Sequence, residues 1–320
     1  MNKYVFILII ALVSCNVEQE MFQKFQRFIK KYNKKYNSVN EFLAKFAAFK
    51  RNTMEALYEN GPYKKGITKF SDLTQQEFKE MYLNFDQNTF ALSNLNSIHP
   101  KVSNAAPESF DWRDKKAVGP VKNQTGFTNI ATVVTLENLQ SLYYLKKQNY
   151  RAFSPQMIVD CCVYGTQIID LIFDWLKTHG LETIEDYPST GQKYSCKADP
   201  SKYIDMKITG FKKFDSPADE EEMKEFLYEN SPLIVGINAS PLQSYTGGII
   251  DKFSSECPPN EINHIALLVG YGKDSETGKD YWIVKNSWGK NWGEGGYFRI
   301  KRGSSTCGIN TYVITGTVSF

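Results

Sequence analysis

The apolar residues of this chain repeat with a helical period in its first half and in short strand-like runs in its second, and that order restricts the folds open to it. Phe22, Phe25, Phe28, Ile29 and Tyr32 form one stripe at helical spacing, and residues 20–60 as a whole read as two helices. Within residues 132–145, Val133, Leu136, Leu139, Leu142 and Tyr143 form another stripe, and residues 168–178 read as a helix stopped by Gly180. Ser216-Pro217 reads as a cap followed by proline at the first helical position, with Met223, Phe226 and Leu227 as the buried side. Later the strand-like runs dominate, at 233–238, 264–271, 281–285, 296–301 and 312–318. Helices first and strands later predict an α+β body with a helical half and a β-rich half.

The amino terminus predicts the compartment. Lys3, an apolar run over residues 4–13 and the small pair Ser14-Cys15 have the form of a secretory signal peptide, and the run is too short to span a bilayer. An oxidising route favours paired cysteines. The chain has six, at positions 15, 161, 162, 196, 257 and 307, so loss of Cys15 with the signal leaves an odd number. A net charge of +3 is small for 320 residues and implies no nucleic-acid partner. No metal and no cofactor are expected, nor any membrane span, and a monomer is.

Two stretches before residue 75 are specific enough to suggest a family. Glu41, Lys45, Phe49, Asn52, Ala56 and Asn60 lie at steps of four, four, three, four and four, which keeps all six near one helix face. This resembles the ERFNIN signature of the inhibitory propeptides of cathepsin L-like proteases, with Lys45 in place of arginine and Ala56 in place of isoleucine. Gly66, Thr68, Phe70 and Asp72 resemble the same propeptides' G-x-N-x-F-x-D element, with threonine for asparagine. Residues 87–105, rich in Asn, Ser and Thr, read as an exposed connector. In that family such a segment runs along the cleft in reverse. Residues 107–113, PESFDWR, then resemble the start of the mature protease.

The chain is thus similar to a papain-like cysteine protease precursor of the cathepsin L type. The resemblance implies a papain-like two-lobed α+β fold, with a β-barrel-like second lobe and a cleft between the lobes, preceded by a helical propeptide inhibitor domain. The expected division is 1–17 signal peptide, 18–83 propeptide inhibitor domain, 84–105 junction and 106–320 papain-like domain. It also implies roles. His264 matches the catalytic histidine, Asn286 in Lys285-Asn286-Ser287-Trp288-Gly289 the orienting asparagine, Gln124 the oxyanion donor, and Trp288 the indole that shields the pair.

The nucleophile is where the pattern departs. The family has C-G-[SA]-C-[WY] at its catalytic cysteine, whereas this chain reads Thr125-Gly126-Phe127-Thr128-Asn129-Ile130, and no cysteine lies between Glu18 and Asp160. Counting back from Val133-Val134-Thr135-Leu136-Glu137 implies a three-residue deletion and puts Phe127 at the nucleophile's position. Counting forward from Gln124 puts Ile130 there. The first register is preferred, because a loop absorbs a deletion that would turn a packed helix out of the core. Neither side chain attacks a carbonyl, and loss of a covalent nucleophile costs on the order of a million-fold in turnover. The sequence therefore predicts no enzyme: a pseudoprotease that acts by binding or as a decoy. The alternatives are an inhibitor acting through its propeptide or a residual cysteine-type endopeptidase-like hydrolase.

The resemblance further implies the bridges Cys161–Cys196 and Cys257–Cys307, with Cys162 the odd thiol, although Cys161 and Cys162 could exchange roles. Asn123-Gln124-Thr125 and Asn238-Ala239-Ser240 are both N-glycosylation sequons. A protein or peptide partner is expected, an active cathepsin among the candidates, in a secreted, lysosomal or vacuolar setting.

Overall fold

In a computed structural model, the structure describes residues 3–58, 61, 63–83, 85, 97–99, 105–123, 129–164, 168–251 and 257–320. The chain begins with two long helices, α1 (Lys3–Tyr32) and α2 (Val39–Tyr58). Their contact is aromatic: Phe25, Phe28 and Phe49 are buried together, flanked by Tyr32, Tyr36, Phe42 and Phe46. The Phe25 ring lies 5.1 Å from that of Phe49. The helical spacing read from the sequence thus becomes a small core of its own.

Next comes β1 (Tyr63–Lys65), then α3 (Gln75–Tyr82). Thr74 caps α3 with a reciprocal pair of bonds: its hydroxyl accepts from Glu77 N–H while the Glu77 carboxylate accepts from Thr74 N–H. Such a box satisfies two donors that a helix start otherwise leaves open. The short strands β2 (Ser97–Ile98) and β3 (Phe110–Asp111) follow.

Three helices build the first lobe: α4 (Ile130–Lys147), α5 (Pro155–Cys161) and α6 (Ile169–Thr178). Asn129 caps α4, its side-chain oxygen accepting from Ala131 N–H at 2.8 Å. The rest of the body alternates strands with one more helix: β4 (Lys207–Phe214), α7 (Glu220–Glu229), β5 (Leu233–Ile237), β6 (Tyr245–Ile250), β7 (His264–Lys273), β8 (Asp280–Lys285), β9 (Tyr297–Lys301) and β10 (Val313–Ser319). The strand order is β1-β6-β9-β8-β7-β5-β10-β4-β2, with β3 paired to β7. This is the two-lobed papain-like arrangement with a helical prosegment.

β7 is the hinge of the packing. It is buried on both faces from His264 to Gly272, as its uninterrupted apolar run requires. Ile265, Leu267 and Val269 enter the core shared with α4, α5 and α6, whereas Ala266, Leu268 and Tyr271 enter the core of the β-rich lobe. A single strand therefore serves both lobes and starts at the histidine between them.

Two sequence readings shift. α7 begins at Glu220 and is capped by Asp219, whose carboxylate accepts from Glu221 N–H at 2.7 Å, so Pro217 precedes the helix instead of opening it. β4 and β6 were not anticipated. Gly210 interrupts the apolar run of the first, and Gly247 and Gly248 fall inside the second, so neither has the clean alternation of a strand.

Candidate active-site groove

His264 heads β7 and Asn286 directly follows the last residue of β8. Strand pairing places them side by side: Nε2 of His264 lies 3.0 Å from Oδ1 of Asn286. The same Oδ1 accepts the Ser287 N–H at 2.8 Å, which fixes the orientation of the amide. Nε2 therefore carries the proton, and the neutral imidazole presents a lone pair at Nδ1. The Trp288 indole covers the pair, with ring centroids 4.9 Å from the imidazole. His264, Asn286 and Trp288 are each at most 1% exposed.

Opposite Trp288 runs the chain of residues 121–123. Asn123 forms a β-bridge with Trp288, and Gly289 N–H donates to Lys122 O at 2.9 Å. Gly289 has φ of +82°, a conformation a side chain at this close approach would strain. Gln124 and Phe127, the expected oxyanion donor and the preferred occupant of the nucleophile's position, lie outside the described residues. Ile130, the occupant in the other register, is the first residue of α4 and is packed into the helical core at 2% exposure.

A buried ion pair ties this site to the helical lobe. Lys285, adjacent to Asn286, donates from Nζ to Oε1 of Glu137 on α4 at 2.6 Å. Cys161 is bonded to Cys196 and Cys257 to Cys307. Cys162 belongs to neither bridge and is buried. Among the described residues there is no cluster of His, Cys, Asp and Glu able to hold a metal ion, and no helix is long and apolar enough to cross a membrane.

The groove is closed by the chain's own amino-terminal part. Phe70, Phe78 and Tyr82 set their rings against Trp288, at centroid distances of 5.0, 5.5 and 6.2 Å. The main-chain carbonyl of Tyr82, the last residue of α3, faces the His264 ring, and Phe85 N–H donates to Asn263 O at 3.2 Å. Burial under this cover holds the His264 pKa down to about 4, and the bond to Asn286 and the Tyr82 carbonyl oppose it.

The cover is stitched down by one residue the sequence reading passed over. Gln243 accepts the Thr68 hydroxyl at its main-chain oxygen and donates from Nε2 to Phe70 O and Leu73 O. A glutamine in a polar turn gives no signal of such a role. Lys69 reaches Asn123, donating to Oδ1 at 3.0 Å while lying over the Phe70 and Tyr82 rings. Burial and the nearby Lys34 bring its pKa down to about 8.

The six-residue helix signature has its explanation in the same frame. Lys45 pairs with Glu77, Phe49 fills the aromatic core, and Asn52 donates to the carbonyls of Ser71 and Leu73. Glu41 accepts the Asn37 N–H, and Asn60 lies outside the described residues. Asp72, buried, accepts from Lys34 and Tyr36. The helix face thus holds the segment that closes the groove.

Comparison with known proteins defines the class. Residues 106–317 match the papain family cysteine protease model and residues 25–78 the cathepsin propeptide inhibitor domain. The chain belongs to the papain family of cysteine proteases, in the cathepsin L-like group that carries this propeptide. It is 33% identical over 318 residues to a cathepsin L-like proteinase of Phaedon cochleariae, covering 94% of each chain. With a cysteine proteinase of Zea mays it shares 34% over 324 residues, covering 91% of this chain and 85% of the other. Digestive procathepsin L 3 from the larval midgut of Tenebrio molitor superposes with a TM-score of 0.78 at 29% identity, covering 93% of this chain and 99% of that one.

These relatives correct one expectation from the sequence. Residues 125–130 led to the conclusion that the chain is no enzyme, whereas proteins that match it nearly end to end are named as cysteine proteinases and a procathepsin. The family is enzymatic, and a departure in one short loop does not outweigh likeness over the whole chain.

Proposed function

We propose that this chain is a papain-family zymogen whose interlobe groove takes extended peptide or protein chains, and that residues 18–83 are the groove's own inhibitor. The observation that carries this reading is the seating of residues 68–85. Main-chain groups there bond to Gln243 and Asn263, and three aromatic rings lie on the Trp288 indole above His264. A groove that holds its own backbone in this way has the donors and acceptors to hold another's. The named relatives are proteinases, so peptide-bond hydrolysis is the reaction class the groove would serve.

The part of the machinery that favours hydrolysis is the His264–Asn286 pair. An imidazole fixed with its proton on Nε2 and its lone pair toward the groove is the base that acyl transfer requires. Residues 18–160 contain no cysteine, so the attacking group has to be identified by experiment. Cleavage of the 84–105 connector by a second protease, followed by assays of peptide binding and peptide turnover with and without a thiol-alkylating reagent, tests both levels. Turnover that survives alkylation assigns the attack to a hydroxyl or water. Absence of both binding and turnover after cleavage would remove the proposal.

Entry to the secretory route with removal of residues 1–17, and passage to the exterior or a lysosome-like compartment, belong to the same reading. They are supported by two disulfides, which persist in oxidising compartments.

A further inference from the structure

A cavity of about 520 Å³ lies beneath the prosegment, and the residues that line it include neither His264 nor Trp288. Its volume falls within the range of about 300–1,000 Å³ that small-molecule sites occupy. One wall belongs to the prosegment, with Tyr63 and Lys65 of β1 and Phe78 and Lys79 of α3. The other belongs to the body, with Pro241 and Glu261. Residues that line the cavity also anchor the prosegment: Tyr63 pairs with Gly248 between β1 and β6, and Gln243 holds Phe70 and Leu73. The gap is thus part of the seated arrangement and not a sign of loose docking.

The two walls carry opposite charge, two lysines on the prosegment's side and one carboxylate on the body's. Lys79 and Glu261 are exposed, and neither is ion-paired with another described side chain. Beside these charges are buried rings, Phe78 at 2% exposure and Tyr63 at 5%. We propose that this cavity binds a short peptide with both ends free, its carboxylate toward Lys65 and Lys79, its ammonium toward Glu261, and an apolar side chain between them against Phe78 and Tyr63. A ligand of one sign satisfies one wall and is repelled by the other, whereas a zwitterion satisfies both. Hydrolysis of protein chains makes such peptides, since each cut leaves a carboxylate and an amine, and to that extent the inference rests on the reaction class read for the groove. Because the ligand touches prosegment and body together, it binds the closed chain in preference to the open one and shifts the chain toward closure. The zymogen is thereby held shut where product is abundant.

The probes are the tripeptide Ala-Phe-Ala with free ends, its N-acetyl form and its C-terminal amide, titrated by calorimetry into the full chain. The free tripeptide is expected to bind roughly tenfold more tightly than either capped form, each cap removing one charge-assisted contact. Glu261→Gln should abolish the difference made by acetylation and leave the difference made by amidation. Lys65→Gln with Lys79→Gln should do the reverse. Equal binding of free and capped peptides, or no binding of any, overturns the inference, and so does a selectivity that these substitutions leave unchanged. Cleavage of residues 84–105 by a second protease then reads the consequence. The free tripeptide is expected to slow the uptake of a dye-labelled extended peptide by the cleaved chain, and the capped forms are not. Uptake at the same rate with and without bound tripeptide overturns the holding role while the groove reading stands. No uptake under any condition overturns the groove reading and the holding role, and leaves the charge selectivity of the cavity as measured on the intact chain.

Discussion

Nζ of Lys285 lies 2.6 Å from Oε1 of Glu137, with side chains 1% and 5% exposed, and the pair joins the end of β8 to the middle of α4. Asn286 is the next residue, so the pair fixes the strand end that orients the imidazole. Removing one partner leaves a buried charge uncompensated, and Glu137→Gln or Lys285→Met alone is expected to cost about 3–5 kcal/mol of stability. The combined replacement Glu137→Leu with Lys285→Met should cost less than either, because no charge is stranded. Urea denaturation of the three variants checks the order.

His264 gives the fold an acid-sensitive term. Its pKa is about 4 in the folded chain against an ordinary 6.5, so between those values the unfolded chain binds the proton that the folded one refuses. Stability from this group is therefore complete above pH 6.5 and is lost as pH falls toward 4, by roughly 3 kcal/mol at most. Among the described residues, the groups that face the ring are the Asn286 amide, the Trp288 indole and the Tyr82 carbonyl, none of which titrates in this window. Comparing urea midpoints at pH 7 and pH 4.5 for the native chain and for His264→Phe isolates the effect. The native chain should lose more.

Much of this arrangement was legible before any coordinates. The aromatic stripe from Phe22 to Tyr32 and the strand run at 264–271 are strong periodic signals, and both elements exist where the period places them. The motifs around His264 and Asn286 singled out two residues that the structure brings into contact. What the sequence did not disclose depends on contacts across long separations. Gln243 meets Leu73 over 170 positions, and β1 pairs with β6 through three residues that have no periodicity to read. The closure of the groove over His264 is likewise a relation between two distant segments, each ordinary by itself. The expectation of inactivity came from the opposite error, in which a few loop residues were given more weight than the likeness of the whole chain.

The capping box on α3 sets how firmly the groove is closed. Thr74 and Glu77 hold the first turn of a helix only eight residues long, which carries Phe78 and Tyr82 onto Trp288. Thr74→Ala is expected to weaken that helix by about 1 kcal/mol. The readout is faster hydrogen exchange in residues 75–83, with exchange in α4 unchanged.

The two sequons differ in access, and so in expected modification. Asn123 is exposed, and Lys69 engages its Oδ1, the atom a glycan does not use. Asn238 is 2% exposed, and its Nδ2 donates to Pro258 O. Secreted from a glycosylating host, the chain should carry a glycan at Asn123 and none at Asn238. Peptide mapping after enzymatic deglycosylation reads both sites.

The account stands on the occupation of the groove by residues 68–85, and one measurement addresses that directly. Binding of a dye-labelled extended peptide to the full chain is measured before and after cleavage of residues 84–105 by a second protease. The account predicts no detectable binding before cleavage, and saturable binding afterwards that added peptide of residues 66–83 competes away. Equal binding before and after cleavage, with no competition, would contradict it.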